Sequence, residues 1–293
     1  QAERKIGNIE KEIQQIKKSV GPIDMLATQF SFANWTGNKG DMSLRQKAKA
    51  NTFYELEKIF KVLEPKSIVP FANFSYFSHE ENSYLNEHAI TFEELFNRFD
   101  NQNFCVLGKN DTWHKERKNN NEDACKYWEN KKQIALSLAK IKTRHVSYES
   151  LCEEHNNMTS KLAKNNDLQG LKKQLLAISS YRPSFIFLED LNIAVRFDIF
   201  NEIKIENRLI EKCDIIMSSE SLYNVMKNKW GFGTLMINGR FQANYKTFHN
   251  FVLQTRLYYM NNIGKQYPEH ISLDEITSSG SLVKRLVEEE CPL

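Results

Sequence analysis

IDMLATQFSFANW, residues 23–35, opens the part of the sequence that decides the fold, and SIVPFANFSYFSHEENSYLN, residues 67–86, completes it. Each stretch begins with a short apolar run, at 23–27 and 67–71, that proline or glycine bounds, as in buried parallel strands. A helix predicted over 43–63 separates the two runs. This spacing predicts a β–α–β crossover with parallel strands, a basic unit of α/β folds.

Polar and aromatic residues follow both predicted strands, at the points where the strands end. They occupy positions 29–35 after the first strand and 73–82 after the second. In open α/β sheets, ligands bind beyond the carboxyl ends of the strands, so we expect any chemistry at this edge. The candidate pocket residues there are Trp35, Asn73, His79 and Asn82.

Two of these residues have alternative interpretations that the sequence leaves open. Trp35 either walls a pocket or belongs to the core, and neither is favoured. His79 lies in Ser78-His-Glu-Glu-Asn82, where a neutral imidazole can ligate a metal or transfer a proton. The alternative for His79 is an ordinary polar loop, which the spacing alone favours over a functional histidine.

Further elements of the first unit are predicted by periodicity and capping. Isoleucines at three- and four-residue steps predict a helix over 3–20. Thr91, with Glu94 three residues on, predicts a capping box that begins a helix over 91–99. FCVLG, at 104–108, predicts one more strand of the same sheet.

Residues 114–183 are largely polar and predict a helical connector without chemistry. One apolar helical stripe consists of Ile134, Leu138 and Ile141. His145 and His155 are expected at the surface, because isolated histidines in a polar helical segment are more often solvated than ligands.

After Pro183, apolar and polar residues alternate through 184–219, which predicts antiparallel strands. The next segments predict a short helix, a strand and a closing helix, at 221–229, 235–241 and 247–260. Together they predict a separate α+β domain over 184–262. A tail over 263–293 follows, with one short helix predicted at 281–290.

Composition excludes several classes of protein. Lysine and arginine total 40 against 37 acidic residues, a net charge of +3, which does not indicate a nucleic-acid or anionic-membrane partner. The five cysteines form no C-x-x-C pair, which fits reduced thiols better than a disulfide framework. No apolar run approaches a membrane span, and the charged N-terminal residues lack a signal-peptide core. A cytoplasmic protein is therefore expected.

The stretches at 23–35 and 68–82 resemble the C-terminal half of metallo-β-lactamase-fold proteins. The similarity is to the branch of CMP-N-acetylneuraminate hydroxylase and its bacterial relatives, near the ascorbate-6-phosphate lactonase type. Asp111-Thr-Trp113 resembles the closing segment of that branch, and the similarity covers about residues 5–113. More loosely, 184–262 resembles a sterol-carrier-protein-like domain, in its succession of strand, helix, Trp-Gly, strand and Gly-Arg-Phe.

The resemblance implies a divalent metal, zinc or iron, in the full-length parent. The family's His-x-His-x-Asp-His motif is absent from this sequence, and Phe71-Ala72-Asn73 stands where its final metal histidine is usual. His79 lies further along and is the one candidate metal ligand. We therefore expect no tightly bound metal on this chain. The N-terminal half of the fold is expected to have been removed, to lie on another polypeptide, or to be lost in a degenerate relative.

The expected fold class is thus α/β, a partial metallo-β-lactamase-type αββα core over 1–113 with the helical connector and a C-terminal α+β domain. The expected function is a portion of a metal-dependent hydrolase or related sugar-nucleotide-modifying protein, with a small-molecule substrate and no activity of this chain alone. The alternative is a non-catalytic binding or scaffold protein with an apolar groove in 184–262. An enzyme requires further histidines and carboxylates to converge near His79, which separates the two hypotheses.

Overall fold

The computed structural model describes residues 2–31, 34–71, 76–116, 121–178 and 181–277, with side chains from Glu10 onward. The chain has a mixed α/β structure. Its helices are α1 (Ala2–Val20), α2 (Met42–Leu63), α3 (Phe92–Arg98), α4 (Asn121–Ser137), α5 (Tyr148–Asn165), α6 (Leu168–Ala177), α7 (Ser219–Lys227), α8 (Gly231–Asn238), α9 (His249–Asn262) and α10 (Leu273–Thr277). Its strands are β1 (Leu26–Thr28), β2 (Ile68–Pro70), β3 (Ser184–Leu188), β4 (Ile193–Phe197), β5 (Lys204–Glu206), β6 (Ile215–Met217) and β7 (Phe241–Ala243). Short 3-10 helices occupy Ser83–His88 and Ile210–Lys212.

The predicted β–α–β crossover is confirmed. β1 and β2 pair in parallel, with Leu26 opposite Ile68, and α2 connects them. The third predicted strand, at 104–108, joins the same sheet only through a parallel bridge between Ile68 and Phe104. The Cys105 N–H donates to the Ile68 carbonyl at 2.8 Å, which holds this segment against β2.

One apolar core holds this first unit together. Its buried members are Phe30, Leu56, Phe60, Ile68, Ile90, Leu95, Phe99 and Phe104. Leu56 and Phe60 come from α2, Ile68 from β2 and Leu95 from α3, and the other members lie in the segments beside the named elements. The helix predicted between the strands therefore packs against the sheet as a crossover helix must. The predicted capping box of α3 is confirmed, because the Glu94 N–H donates to Thr91 Oγ1 at 3.2 Å and the Thr91 N–H to Glu94 Oε2 at 3.0 Å.

The second sheet has five strands in the order β5-β4-β3-β6-β7. The antiparallel pairing predicted within 184–219 is correct for β3–β4 and β4–β5, but wrong for β3–β6, which is parallel. β7, which lies beyond that range, pairs antiparallel with β6. The predicted strand at 235–241 is also wrong. Residues up to Asn238 complete α8, and β7 begins only at Phe241, because Gly239 ends the helix in a left-handed conformation.

The core beneath this sheet draws on both sides of Pro183. Leu151, Met158 and Leu162 of α5, with Leu171 and Leu175 of α6, are buried in the same cluster as the strands and α9. Trp35 of the first unit is also a member. The predicted domain boundaries stay a prediction, but the helices over 148–177 pack as part of the second core and do not stand apart as a spacer.

His155 is not the surface histidine that the polar sequence around it predicts. It is 1% exposed, its ring packs edge-on against Phe197, and its Nε2–H donates to the Asp198 carbonyl at 3.1 Å. α5 turns this position toward the sheet, along with Leu151 and Met158, so the 3.6-residue period overrides the polarity of the segment. His145 is exposed, as expected.

No helix in the described ranges is both long and apolar enough to cross a lipid bilayer. The predicted helix at 281–290 lies outside the described residues.

Candidate functional site

A pocket of about 140 Å³ lies beyond the carboxyl ends of β1 and β2, at the edge where the sequence predicts ligand binding. We call it the carboxyl-edge pocket. Its floor is formed by Phe30, Ile90, Phe92 and Trp128, and its outer wall by Lys131, Lys132, Ala135 and Leu136. Tyr76, from the segment after β2, also lines it.

The floor is positioned by the end of β1. Phe30 follows this strand by two residues and stacks on Phe92 with ring centroids 5.2 Å apart. Ser31 Oγ accepts the Ile90 N–H at 3.0 Å, which ties the segment before α3 to the end of the strand. The floor therefore consists of aromatic and aliphatic surface attached to two rigid elements.

The outer wall is one face of α4. Two side-chain bonds fix this helix to the third sheet segment: Trp128 Nε1–H donates to the Leu107 carbonyl at 2.8 Å, and Asn121 Nδ2–H to the Phe104 carbonyl at 2.7 Å. Asn121 Oδ1 also accepts the Val106 N–H, at 2.8 Å. Positions 128, 131, 132, 135 and 136 recur at the spacing of a single helical face, and all line the pocket.

The sequence pattern predicts no function for this face. It identifies Ile134, Leu138 and Ile141 as the buried stripe, but these are 55%, 62% and 50% exposed, so that expectation is wrong. α4 ends at Ser137, and its inward side carries Ala124 and Trp128. The signal that was available is Trp-x-x-Lys-Lys-x-x-Ala-Leu over 128–136, an aromatic and two cations on one face.

Three polar side chains that line the pocket, Asn86, Thr91 and Trp128, are already hydrogen-bonded within the protein. Asn86 Oδ1 accepts the Phe77 N–H at 2.9 Å, and its Nδ2 donates to the carbonyls of Phe77 and Ser83. Thr91 is engaged in the capping box, and the Trp128 indole in its bond to Leu107. Apart from the Tyr76 hydroxyl, the inner lining of the pocket therefore offers a ligand mainly apolar contact.

Trp35, the first predicted pocket residue, lies in the core of the second unit. It is 1% exposed and packs against Phe241, Tyr245 and Phe248, the nearest centroid being 4.8 Å away. The backbone N–H of Trp35 donates to the Met236 carbonyl at 2.7 Å. Of its two interpretations, this position favours the core.

Asn82 is likewise buried, at 2% exposure. Its side chain connects the first unit, which contains β1 and β2, to the second unit, which contains the five-stranded sheet. Its Nδ2–H donates to the Asn238 carbonyl at the end of α8 at 2.7 Å, and its Oδ1 accepts the His79 N–H at 3.0 Å. Asn73, the third candidate, lies outside the described residues. The structure thus does not bring Trp35, His79 and Asn82 together around one pocket.

His79 is half-buried, in an extended segment that bridges to Ile141. Burial, and then the nearby Arg240 guanidinium, lower the pKa of His79 below its usual value. Arg240 is itself buried and forms ion pairs with Glu81 and with Glu220, the latter at 2.8 Å. The carboxylates nearest His79 are therefore already engaged by a cation.

This arrangement does not fit a metal centre. A zinc or iron site requires three or four histidine, cysteine or carboxylate ligands, and a neighbouring guanidinium opposes a cation electrostatically. Within the described ranges, no group of three or more such side chains is placed to hold a metal ion. No catalytic step is assigned to a metal on these residues.

A second set of strand ends meets in the other sheet. Glu189 and Asp190 follow β3, and Ser219 follows the parallel strand β6 and donates its N–H to Asp190 Oδ1 at 2.7 Å. A cleft of about 220 Å³ beside them is lined by Lys39, Glu80, Glu81, Glu189, Arg240 and Gln242. Burial and the charges of Glu81 and Asp190 raise the pKa of Glu189. Ser218 caps α7, and Asp190 accepts hydrogen bonds from the N–H and the hydroxyl of Ser219 at the start of that helix, so this edge has a structural role in the fold.

No family model matches the chain, and neither the curated proteins nor the solved structures provide a match. The resemblance to the metallo-β-lactamase fold stays a prediction.

Proposed function

We propose that this chain is the substrate-binding portion of a hydrolase of the metallo-β-lactamase type, and that its small-molecule substrate occupies the carboxyl-edge pocket. The observation that carries the proposal is the position of that pocket, beyond the ends of two parallel strands joined by a crossover helix. This is where α/β folds bind ligands, and Phe30 and Tyr76 of the family-like aromatic segments line the pocket there.

The pocket determines what part of a substrate it accepts. Its volume of about 140 Å³ is close to that of cavities that hold a benzene-sized group, about 150 Å³. The aromatic floor and its satisfied polar groups favour an apolar ring or short chain over a sugar. An ester or lactone with such a group is the substrate class that fits both the pocket and the hydrolase type.

The catalytic metal implied by the resemblance is not assigned to this chain. The geometry around His79 gives no support for a site there, so we expect binding without turnover. The alternative function, a binding protein with an apolar groove in 184–262, gains no support from the second core, where aromatic side chains such as Phe248 and Phe251 fill the space beneath the sheet.

Saturation-transfer NMR with methyl benzoate tests the proposal. We expect saturation of the ester by the wild-type chain and its loss in Ala135→Phe, because a phenyl ring on the α4 wall fills the pocket. The exposed Ala139→Phe, beyond the end of α4, is the matched control. Transfer that persists unchanged in Ala135→Phe would place the ligand elsewhere and overturn the proposal.

A further inference from the structure

The mouth of the carboxyl-edge pocket carries two lysines that form no ion pair with any residue that the structure describes. Lys131 and Lys132 line it from adjacent positions of α4. Among the described residues, neither ammonium group has an ion pair, and Lys131 contacts only the Tyr127 ring, 5.5 Å from its centroid. Some cations of the first unit are paired, as Lys49 is with Glu94 and Lys58 with Glu10.

One carboxylate, Glu129, shares this mouth. It accepts a hydrogen bond from Gln133 Nε2 at 2.8 Å, one turn further along α4. The mouth therefore keeps a net positive charge above an apolar floor. Such a combination is complementary to a molecule with an apolar body and a single anionic end.

We infer that the carboxyl-edge pocket binds small amphipathic anions, of which an aromatic or short aliphatic carboxylate is the type. The apolar body enters between Phe92 and Trp128, and the anionic group stays at the mouth within reach of Lys131 and Lys132. This inference rests on the proposed function, since a carboxylate of this kind is what remains of the ester after hydrolysis. It adds a preference for charge that the proposed function does not require.

Calorimetric titration of the full chain with benzoate and with its neutral isostere benzamide tests the inference. Wild type is expected to bind benzoate about tenfold more tightly than benzamide, since hydrogen bonds with charged groups are stronger than neutral ones. Added salt is expected to reduce that difference, because the lysines are solvent-accessible.

The double variant Lys131→Gln, Lys132→Gln is expected to lose the preference, so that benzoate and benzamide bind it with about equal affinity. Lys140→Gln, Lys142→Gln removes the same charge from exposed positions nearby and is the matched control. Both changes are at the surface, and thermal unfolding followed by circular dichroism verifies that the variants fold.

The outcomes separate the two claims. If benzoate and benzamide bind wild type equally and Ala135→Phe abolishes both, the pocket is a ligand site and the charge preference is wrong. Unchanged benzoate affinity in the lysine double variant also overturns the inference. If neither ligand binds, or Ala135→Phe has no effect, the proposed function fails as well.

Discussion

Gly239 lies where the two units of the molecule meet. It has a φ of +63°, and a Cβ placed there would approach Leu85 Cδ1 to 2.6 Å and the Trp35 Cα to 3.5 Å. Both a left-handed backbone and a close contact therefore require the absence of a side chain.

Gly239→Ala is expected to lower the free energy of unfolding by about 1–3 kcal/mol, the cost of holding a side chain in that backbone region. Gly233→Ala is the matched control, because its Cβ would meet nothing closer than Tyr259 at 3.9 Å and alanine favours the helix by about 0.5–1 kcal/mol. Urea unfolding measures both. Equal stability of the two variants would contradict the account.

His155 makes the stability of the folded protein depend on pH. Burial lowers its pKa below the ordinary value of 6.5, so the folded state prefers the neutral ring. As the pH falls through 6.5, the unfolded chain takes up the proton first, and stability is lost until the folded pKa is reached. The stability that the neutral His155 ring contributes is therefore fully present above pH 6.5, the pKa of the unfolded chain.

His155→Gln is therefore expected to reduce the loss of stability between about pH 7.5 and about pH 5.5, although it is less stable at the higher pH. His79 and His88 also have lowered pKa values, so part of the pH dependence of stability remains in every variant. The exposed His249→Gln is the control. Parallel pH profiles for wild type and His155→Gln would be evidence against a neutral buried ring.

At the scale of elements, α4 is the helix on which the candidate site depends. Asn121 bonds to Phe104 and Val106 at its start, and Trp128 bonds to Leu107 further along. These contacts hold the pocket wall against the third sheet segment.

Asn121→Ala is expected to cost about 1–3 kcal/mol, because two backbone groups lose their partners. It is also expected to weaken methyl benzoate binding, since the pocket wall is less firmly held. Gln133→Ala, on the same helix, removes a surface bond and is expected to change neither stability nor binding. Loss of stability with fully retained binding would show that α4 does not need this anchor to shape the pocket.

The sequence predicts elements well where one local signal dominates. The short apolar runs with a helix-length spacer specify β1, α2 and β2, and the Thr91 capping box specifies the start of α3. It fails at Leu235-Met-Ile, where a short apolar run fits a strand or a buried helix equally well and packing decides. The sequence pattern predicts the wrong buried face for α4. The hydrogen bond from Trp128 to the distant Leu107 carbonyl determines which face turns inward, and the most apolar stripe does not.

The candidate site is partly predictable for the same reason. Its location at the carboxyl edge follows from the β–α–β pattern, which is local. The residues that form the site do not follow from this pattern. Asn82 and Trp35, which the pattern places there, instead contact α8 and β7, about 150 to 200 residues away in sequence. Long-range pairing of this kind leaves no periodic signal.

At the scale of the whole molecule, we expect ligand binding to be independent of any bound metal. We expect the purified chain, after dialysis against a mild chelator, to retain no stoichiometric zinc or iron by elemental analysis. Arg240 lies beside His79 and already occupies Glu81 and Glu220. A stoichiometric metal that His79→Ala removes would refute this and restore a self-sufficient metalloenzyme.

The central claim, that ligands enter the carboxyl-edge pocket, is tested most directly by the indole N–H signals of the four tryptophans. Trp128 lines the pocket, Trp113 donates to Ser67 at the opposite end of β2, Trp35 is buried in the second core and Trp230 is exposed on the second unit. In a ¹H–¹⁵N spectrum, added benzoate is predicted to shift the Trp128 indole signal alone, and to shift none in Ala135→Phe. A shift of Trp113 or Trp230 with Trp128 unmoved would contradict the account.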